Sequence, residues 1–235
     1  MLSTVNGVGK FGRRRVIAAG VVTDSMTLHL NANNAASYPG SGSTWFDLAG
    51  TADNITLVNS PAFTSGTPSY FTFNGSTQYG SGSAANILPS AAYTKSVWFY
   101  LNAYYDNNLI SSDSGGHFMY FGPSPHTTLW AGHSNVTPFS GPGAFGSTYT
   151  LSLNTWYYAA VTYSIANGIK LYINGVLNNS TAMSAHTGNG SVNIAAFATG
   201  NNLNGRIAQV FCYSKELSAT EVLQNFNSTK AIYGL

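Results

Sequence analysis

The sequence predicts an all-β fold: two antiparallel sheets packed as a sandwich, with one short C-terminal helix and an extended N-terminal arm. Three observations carry this. Short apolar-alternating runs recur from Ser25 onward with turn signals between them. Fifteen Tyr, 13 Phe and 4 Trp, set among 25 Gly and many Asn, Ser and Thr, favour strands joined by turns over helices. In KSVWFYLN (95–102), Val97, Phe99 and Leu101 share one face and Trp98 and Tyr100 the other, and a strand apolar on both sides points to sheet packed on sheet.

In chain order, residues 1–22 differ in composition and read as an arm, and 23–235 read as one domain. The candidate strands are 26–31, 55–59, 70–75, 95–102, 108–112, 117–122, 127–133, 155–164, 169–175 and 206–214. HFMYFG–PSPH–TTLWAGH reads as a hairpin around Pro123 to His126, and with paired positions summing to 250, Tyr120 faces Trp130 and His117 faces His133. Ser218 followed by Glu221 is a capping box that opens a helix over 218–228, with Val222, Phe226 and Leu223 on one face. A chain of 235 residues with 44% hydrophobic content can bury a full core as one domain, and neither a fixed repeat nor a long linker divides 25–235.

Charge is segregated. Lys10, Arg13, Arg14 and Arg15 are four of nine cations, which leaves five against seven acids and a body of net charge about −2. Val16, Ile17, Val21 and Val22 follow the arginines, and Gly7, Gly9, Gly12 and Gly20 let the backbone lie close to another chain. Arginine suits bidentate pairing with carboxylates on a protein partner. The arm, centred on Lys10, Phe11, Arg13, Arg14, Arg15, Val16 and Ile17, is therefore expected to anchor the body to an assembly. Nucleic acid is disfavoured, because the body behind the arm is slightly acidic. Apolar runs fall short of the ~18 residues needed to span a bilayer, and VIAAGVV is too short and glycine-broken to read as an export signal.

Three stretches carry a resemblance to a family. "LHLNANNAASYPGSGSTWFDLAGTADNITLVNSPAF" (28–63) with "YFTFNGSTQY" (70–79) resembles the opening of laminin G-like domains of the concanavalin A-like lectin and glucanase superfamily. SYPGSGSTWFDLAG looks most like the version in tailed-bacteriophage virion proteins. "LNTWYYAAVTYSIANGIKLYINGVL" (153–177) is similar to the family's central hairpin, and residues 205–235 to its last strand, short helix and C-terminus. The resemblance implies a jelly roll. It also implies a virion component, assembled in the host cytoplasm as a capsid decoration, fibre or tail protein. The expected partners are other virion proteins in a multi-copy or homo-oligomeric assembly, and a host-surface glycan. One departure is Leu30-Asn31-Ala32, where the phage pattern usually reads Leu-Asp-Ala.

Catalytic patterns are missing. Glycoside hydrolysis needs two carboxyl groups about 5–10 Å apart. The chain has no Glu-x-Asp-x-x-Glu run, and both glutamates, Glu216 and Glu221, lie at the capping box. Asp106 and Asp113, seven extended residues apart, are separated by about 23 Å. Asp47 and Asp53 read as turn caps, and Cys212 as a buried hydrophobe on the face of Ala208 and Val210. No enzymatic activity is expected.

Laminin G-like domains often bind calcium or sugars at one rim of the sandwich. Tyr104, Tyr105, Asp106, Asn107 and Asp113 are the candidate rim site, since hard oxygen ligands beside aromatic rings suit calcium and a stacked saccharide. Asp106, Asp113, His117 and His133 are the candidate metal ligands, the two histidines reading equally as polar residues at a strand edge; no cofactor is otherwise implied.

Overall fold

The computed structural model describes residues 20–83, 87–112, 116–133, 145–186 and 191–235. Sixteen strands follow in order: β1 (Met26–Asn31), β2 (Thr44–Trp45), β3 (Ile55–Val58), β4 (Ala62–Thr64), β5 (Tyr70–Asn74), β6 (Tyr79–Ser83), β7 (Ala92–Leu101), β8 (Ile110–Ser111), β9 (His117–Gly122), β10 (Thr128–His133), β11 (Phe145–Gly146), β12 (Trp156–Ser164), β13 (Gly168–Ile173), β14 (Val176–Thr181), β15 (Ser191–Ile194) and β16 (Asn204–Tyr213). Helix α1 (Ala219–Thr229) and a 3₁₀ turn, Lys230–Tyr233, end the chain.

Two antiparallel layers result. The larger sheet runs β14-β13-β12-β7-β16, and the far edge of β16 is shared by β5, continued by β4, and by β1. The second layer is β2-β3-β6-β15-β8 together with β9-β10-β11. Backbone bonds Leu109 N–H to Met119 O and Phe121 N–H to Asn107 O join its two parts. Leu28, Leu30, Val97, Phe99, Phe121, Val161, Ile194 and Val210 fill the space between layers.

The other face of the large sheet is apolar for a different reason. Trp98, Tyr158, Phe211 and Tyr213 are covered by Val222, Phe226 and Tyr233 of the C-terminal segment and by Val22, not by a further sheet. Val22 N–H donates to Asn225 Oδ1 (2.8 Å), its carbonyl accepts from Tyr213 (3.0 Å), and Gly20 O accepts from Gln224 (2.8 Å). The stretch ahead of Gly20, with Lys10, Phe11, Arg13, Arg14, Arg15, Val16 and Ile17, lies outside the described residues. Among those described, no helix is long and apolar enough to cross a membrane.

Local chemistry explains the main boundaries. Ser218 Oγ accepts from Glu221 N–H and the Glu221 carboxylate accepts from Ser218 N–H, closing the expected capping box. Leu223 is 41% exposed, so the helix's buried stripe is Val222, Asn225, Phe226 and Thr229. The β9–β10 hairpin has the expected register, Tyr120 opposite Trp130 and His117 opposite His133. Asn174 and Gly175, at φ 50° and 79°, make a tight β13–β14 turn that lies against Leu223 and Phe226. A bulge between Ile207 and Gln209 turns Ala208 to the helix side, while Val210 and Cys212 face the interior; the shared face expected for all three fails there.

Candidate functional site

The rim between β7 and β8 is built by the segment Tyr104–Asn108, and only part of it is free to act. Asn107 is fully buried. Its Nδ2 donates to the carbonyls of Ala103 (2.9 Å) and Tyr105 (3.1 Å), and its Oδ1 accepts from Asn204 N–H (2.7 Å). This amide folds the loop and is spent, so Asn107 is a support rather than a ligand. Tyr104 is held too, its hydroxyl donating to Leu151 O at 3.0 Å. Asp113 lies outside the described residues.

Asp106 and Tyr105 stand differently. Asp106 Oδ2 accepts from Asn201 Nδ2 (2.9 Å), while Oδ1 is shielded from solvent and has no hydrogen-bond partner among the described residues. Burial pushes this carboxyl above its ordinary range, and His126 pulls the other way. Burial, and then the charge of Asp106, raise Tyr120. Tyr105 is 55% exposed with its ring 6.2 Å from the His126 ring. The site therefore joins an exposed aromatic plate to a carboxylate oxygen that no donor among the described residues satisfies. His126, from the Pro123–His126 turn, and Asn201, from the loop before β16, complete it. Neither was legible as a partner, because both arrive by long-range folding.

The histidine pair is a correction. His117 and His133 face one another as expected, but they are 2% and 1% exposed, inside the sandwich rather than at a strand edge. His133 Nδ1 donates to Ser184 O (2.6 Å), which leaves Nε2 to accept from the Tyr93 hydroxyl (2.9 Å). His117 Nδ1 lies 2.8 Å from the Nζ of fully buried Lys95, which also donates to Ile110 O (3.0 Å). His186 joins them, its ring 5.4 Å from His117 and 5.2 Å from His133. With both nitrogens of His133 and Nδ1 of His117 committed, the nest is a poor metal chelator. Among the described residues no group of three or more His, Cys, Asp or Glu is placed to hold a metal.

Burial holds the His117 and Lys95 pKa values well below their ordinary ranges and pushes His133 down to about 3. A neutral amine has two N–H groups, and His117 and Ile110 supply two acceptors. A groove of about 710 Å³, lined by residues 165–168 and 180–184, borders this nest through Ser184.

Other expectations resolve simply. Asp47 caps its turn by accepting from the N–H groups of His29, Ala49 and Thr51. Asn31 Oδ1 accepts from Asn33 N–H (2.9 Å) and Gln209 Nε2 (3.0 Å), so the departure Leu-Asn-Ala places an amide among donors, which does not suit a cation. Cys212 is buried and its thiol pushed up to about 12, which suppresses nucleophilicity.

Two sheets, a helix-backed outer face and an aromatic rim define a lectin-like jelly roll. Residues 73–223 match the Laminin_G_3 family, described as concanavalin A-like lectin/glucanases superfamily, and the chain belongs to it. No curated protein matches the chain. Domain 4 of AbnA, a GH43 extracellular arabinanase from Geobacillus stearothermophilus, solved in complex with arabinotriose, is similar with TM-score 0.64 and 17% identity over 86% of this chain and 98% of that one. A structure of botulinum neurotoxin type C, a toxin dependent upon interaction with two ganglioside molecules to enter cells, gives 0.64 and 14% over 88% of this chain and 52% of that one. The binding domain of botulinum neurotoxin DC in complex with SialylT gives 0.65 and 15% over the same shares. The chain thus spans about half the length of these toxin chains. At such identities the likeness is one of fold.

Proposed function

We propose that this protein is a non-catalytic lectin-like module that binds a glycan at the rim formed by Tyr105, Asp106 and His126. The observation that carries the reading is Asp106 Oδ1, a shielded carboxylate oxygen without a donor among the described residues. Leaving a buried acceptor unsatisfied costs about 1–3 kcal/mol, and a sugar hydroxyl would relieve it. The exposed Tyr105 ring beside it offers a face for the apolar side of a pyranose. The arabinotriose complex of AbnA domain 4 and the ganglioside dependence of the type C toxin support a saccharide as the ligand class. No second carboxyl group is among the described hydrogen-bonding or charged neighbours of Asp106, which favours binding over hydrolysis.

A glycan array run with and without calcium tests this. Asp106→Ala and Tyr105→Ala are each expected to weaken the best-bound glycan at least about tenfold, roughly 1.4 kcal/mol. Undiminished binding in both variants, or release of reducing sugar from β-glucans by the wild type, overturns the reading. A calcium requirement would recast Asp106 as a ligand to the ion.

The setting we propose is a phage particle, where the sandwich is an accessory structural component in many copies. The SYPGSGSTWFDLAG run and the concentration of four cations in residues 10–15 support it. Because Val22 is bound to Asn225 and Tyr213, the informative truncation removes residues 1–19. That variant is expected to fold with unchanged thermal stability and to be lost from assembled particles. Incorporation at wild-type copy number refutes the anchor.

A further inference from the structure

The outer face of the large sheet carries a second site, distinct from the rim. Trp156, Tyr100, Arg206 and Thr72 stand side by side in register, one from each of the adjacent strands β12, β7, β16 and β5. The Arg206 guanidinium lies 4.3 Å from the Tyr100 ring centroid and 4.7 Å from that of Tyr70. The Trp156 ring touches both tyrosines, at 5.6 Å and 5.8 Å, and is backed by Tyr233 at 5.1 Å. All four members of the cluster, Tyr70, Tyr100, Trp156 and Arg206, are half-buried, which fixes them while leaving part of each in reach of solvent.

What sets this cluster apart is its charge. Arg206 is the one arginine beyond the N-terminal arm. Lys170 is paired with Glu216, and Lys215 with Asp24 and Glu221. The Arg206 side chain, among the described residues, has neither an ion pair nor a hydrogen bond; only aromatic faces hold it. Contact with ring faces occupies the flat sides of a guanidinium and leaves its in-plane N–H fork free, the geometry that takes a carboxylate bidentately. Asn204, two residues before Arg206 at the start of β16, and Asn102, just past the end of β7, bring amide groups alongside, bonded to each other at 3.3 Å. A held cation with an open fork, aromatic plates and neighbouring amides match one ligand chemistry: a sugar ring that bears a carboxylate.

We infer that Tyr70, Tyr100, Trp156 and Arg206 form a binding site for acidic saccharides, independent of the rim at Asp106. The carboxylate takes the Arg206 fork, the apolar face of the ring lies on Trp156 or Tyr100, and hydroxyls meet Asn102 and Asn204. Sialic and uronic acids both present this chemistry.

Titration of the full chain with sialyllactose and with oligogalacturonate, each against lactose as the neutral control, tests the site and separates the two sources. One acidic probe is expected to bind at least tenfold tighter than the neutral sugar, and added salt should weaken it. Arg206→Gln is expected to abolish that preference and Arg206→Lys to restore only part, because an ammonium lacks the planar fork. Asp106→Ala should leave it intact, so failure at the rim and failure here are distinguishable. Circular dichroism and an unchanged melting midpoint verify that the variants fold. Equal affinity for charged and neutral sugars, binding of neither acid, or a preference that survives Arg206→Gln overturns the site.

Discussion

The unfolding free energy is expected to climb from pH 7 to 8.5 and to fall from pH 7 to 5.5, since a buried group that stays neutral in the fold while its unfolded counterpart is protonated contributes up to about 1.4 kcal/mol per pH unit. The climb belongs to Lys95. Its unfolded form keeps a proton until about pH 10.4, whereas burial, with no carboxylate beside the amine among the described residues, holds the folded pKa well below that. The unfolded chain therefore binds one proton more, and raising the pH favours the folded state. The trend levels off above the thiol range, because Cys212 stays protonated in the fold after the unfolded thiol ionises and offsets Lys95. Below pH 7 the Lys95 contribution continues, and His117 and His133 add to the loss, because burial lowers their pKa values while their unfolded counterparts take up protons below about pH 6.5. Urea titrations at pH 5.5, 7 and 8.5 measure both arms. Lys95→Met, which fills the same space without a titrating group, should flatten the alkaline arm and leave only the histidine part of the acidic one. A methionine variant with an unchanged alkaline slope would show that the amine is charged inside the sandwich.

Trp98→Ala is expected to cost about 3–5 kcal/mol, the range for emptying a buried aromatic site. Trp98 is completely buried, its ring centroid 3.8 Å from Tyr233, 5.5 Å from Tyr158 and 5.8 Å from Phe226. Its indole N–H also donates to Thr229 Oγ1 at 2.9 Å. The change thus removes the surface on which α1 and the 3₁₀ turn rest and takes one donor from the Thr229 hydroxyl, which keeps its bond to Asn225 O. Hydrogen exchange should quicken first at the α1 amides, with the β7–β12 ladder following only on global unfolding. Trp98→Phe keeps a ring and loses the N–H, so it should cost far less. A loss below about 1 kcal/mol for the alanine variant would mean that the C-terminal segment is held by something other than this stack.

Strands with strong alternation, the β9–β10 register and the capped helix were legible because each is written in local pattern. β6 was not: it reads Tyr-Gly-Ser-Gly-Ser, and its glycines exist for packing, since a Cβ on Gly80 would sit 2.7 Å from Ile55 Cγ2. β14, with Asn178, Asn179, Ser180 and Thr181, is polar because it is the sheet's edge. Lys95 is legible as inward-facing, since it sits two residues before Val97 on the same strand. Ala208 defeated alternation through a bulge that leaves no mark in the residue types. At the rim, composition singled out Tyr105 and Asp106 but could not separate them from Asn107, whose three hydrogen bonds are visible only in three dimensions.

Val22 and α1 hold each other, and Lys215 adds an ionic stitch to both Asp24 and Glu221. A pull on the chain ahead of Gly20 is consequently delivered to the C-terminal helix before it reaches the β1–β16 ladder. The two ends behave as one clasp: tension that frees the leading segment also strips the lid from Trp98, and slack lets both reseat together.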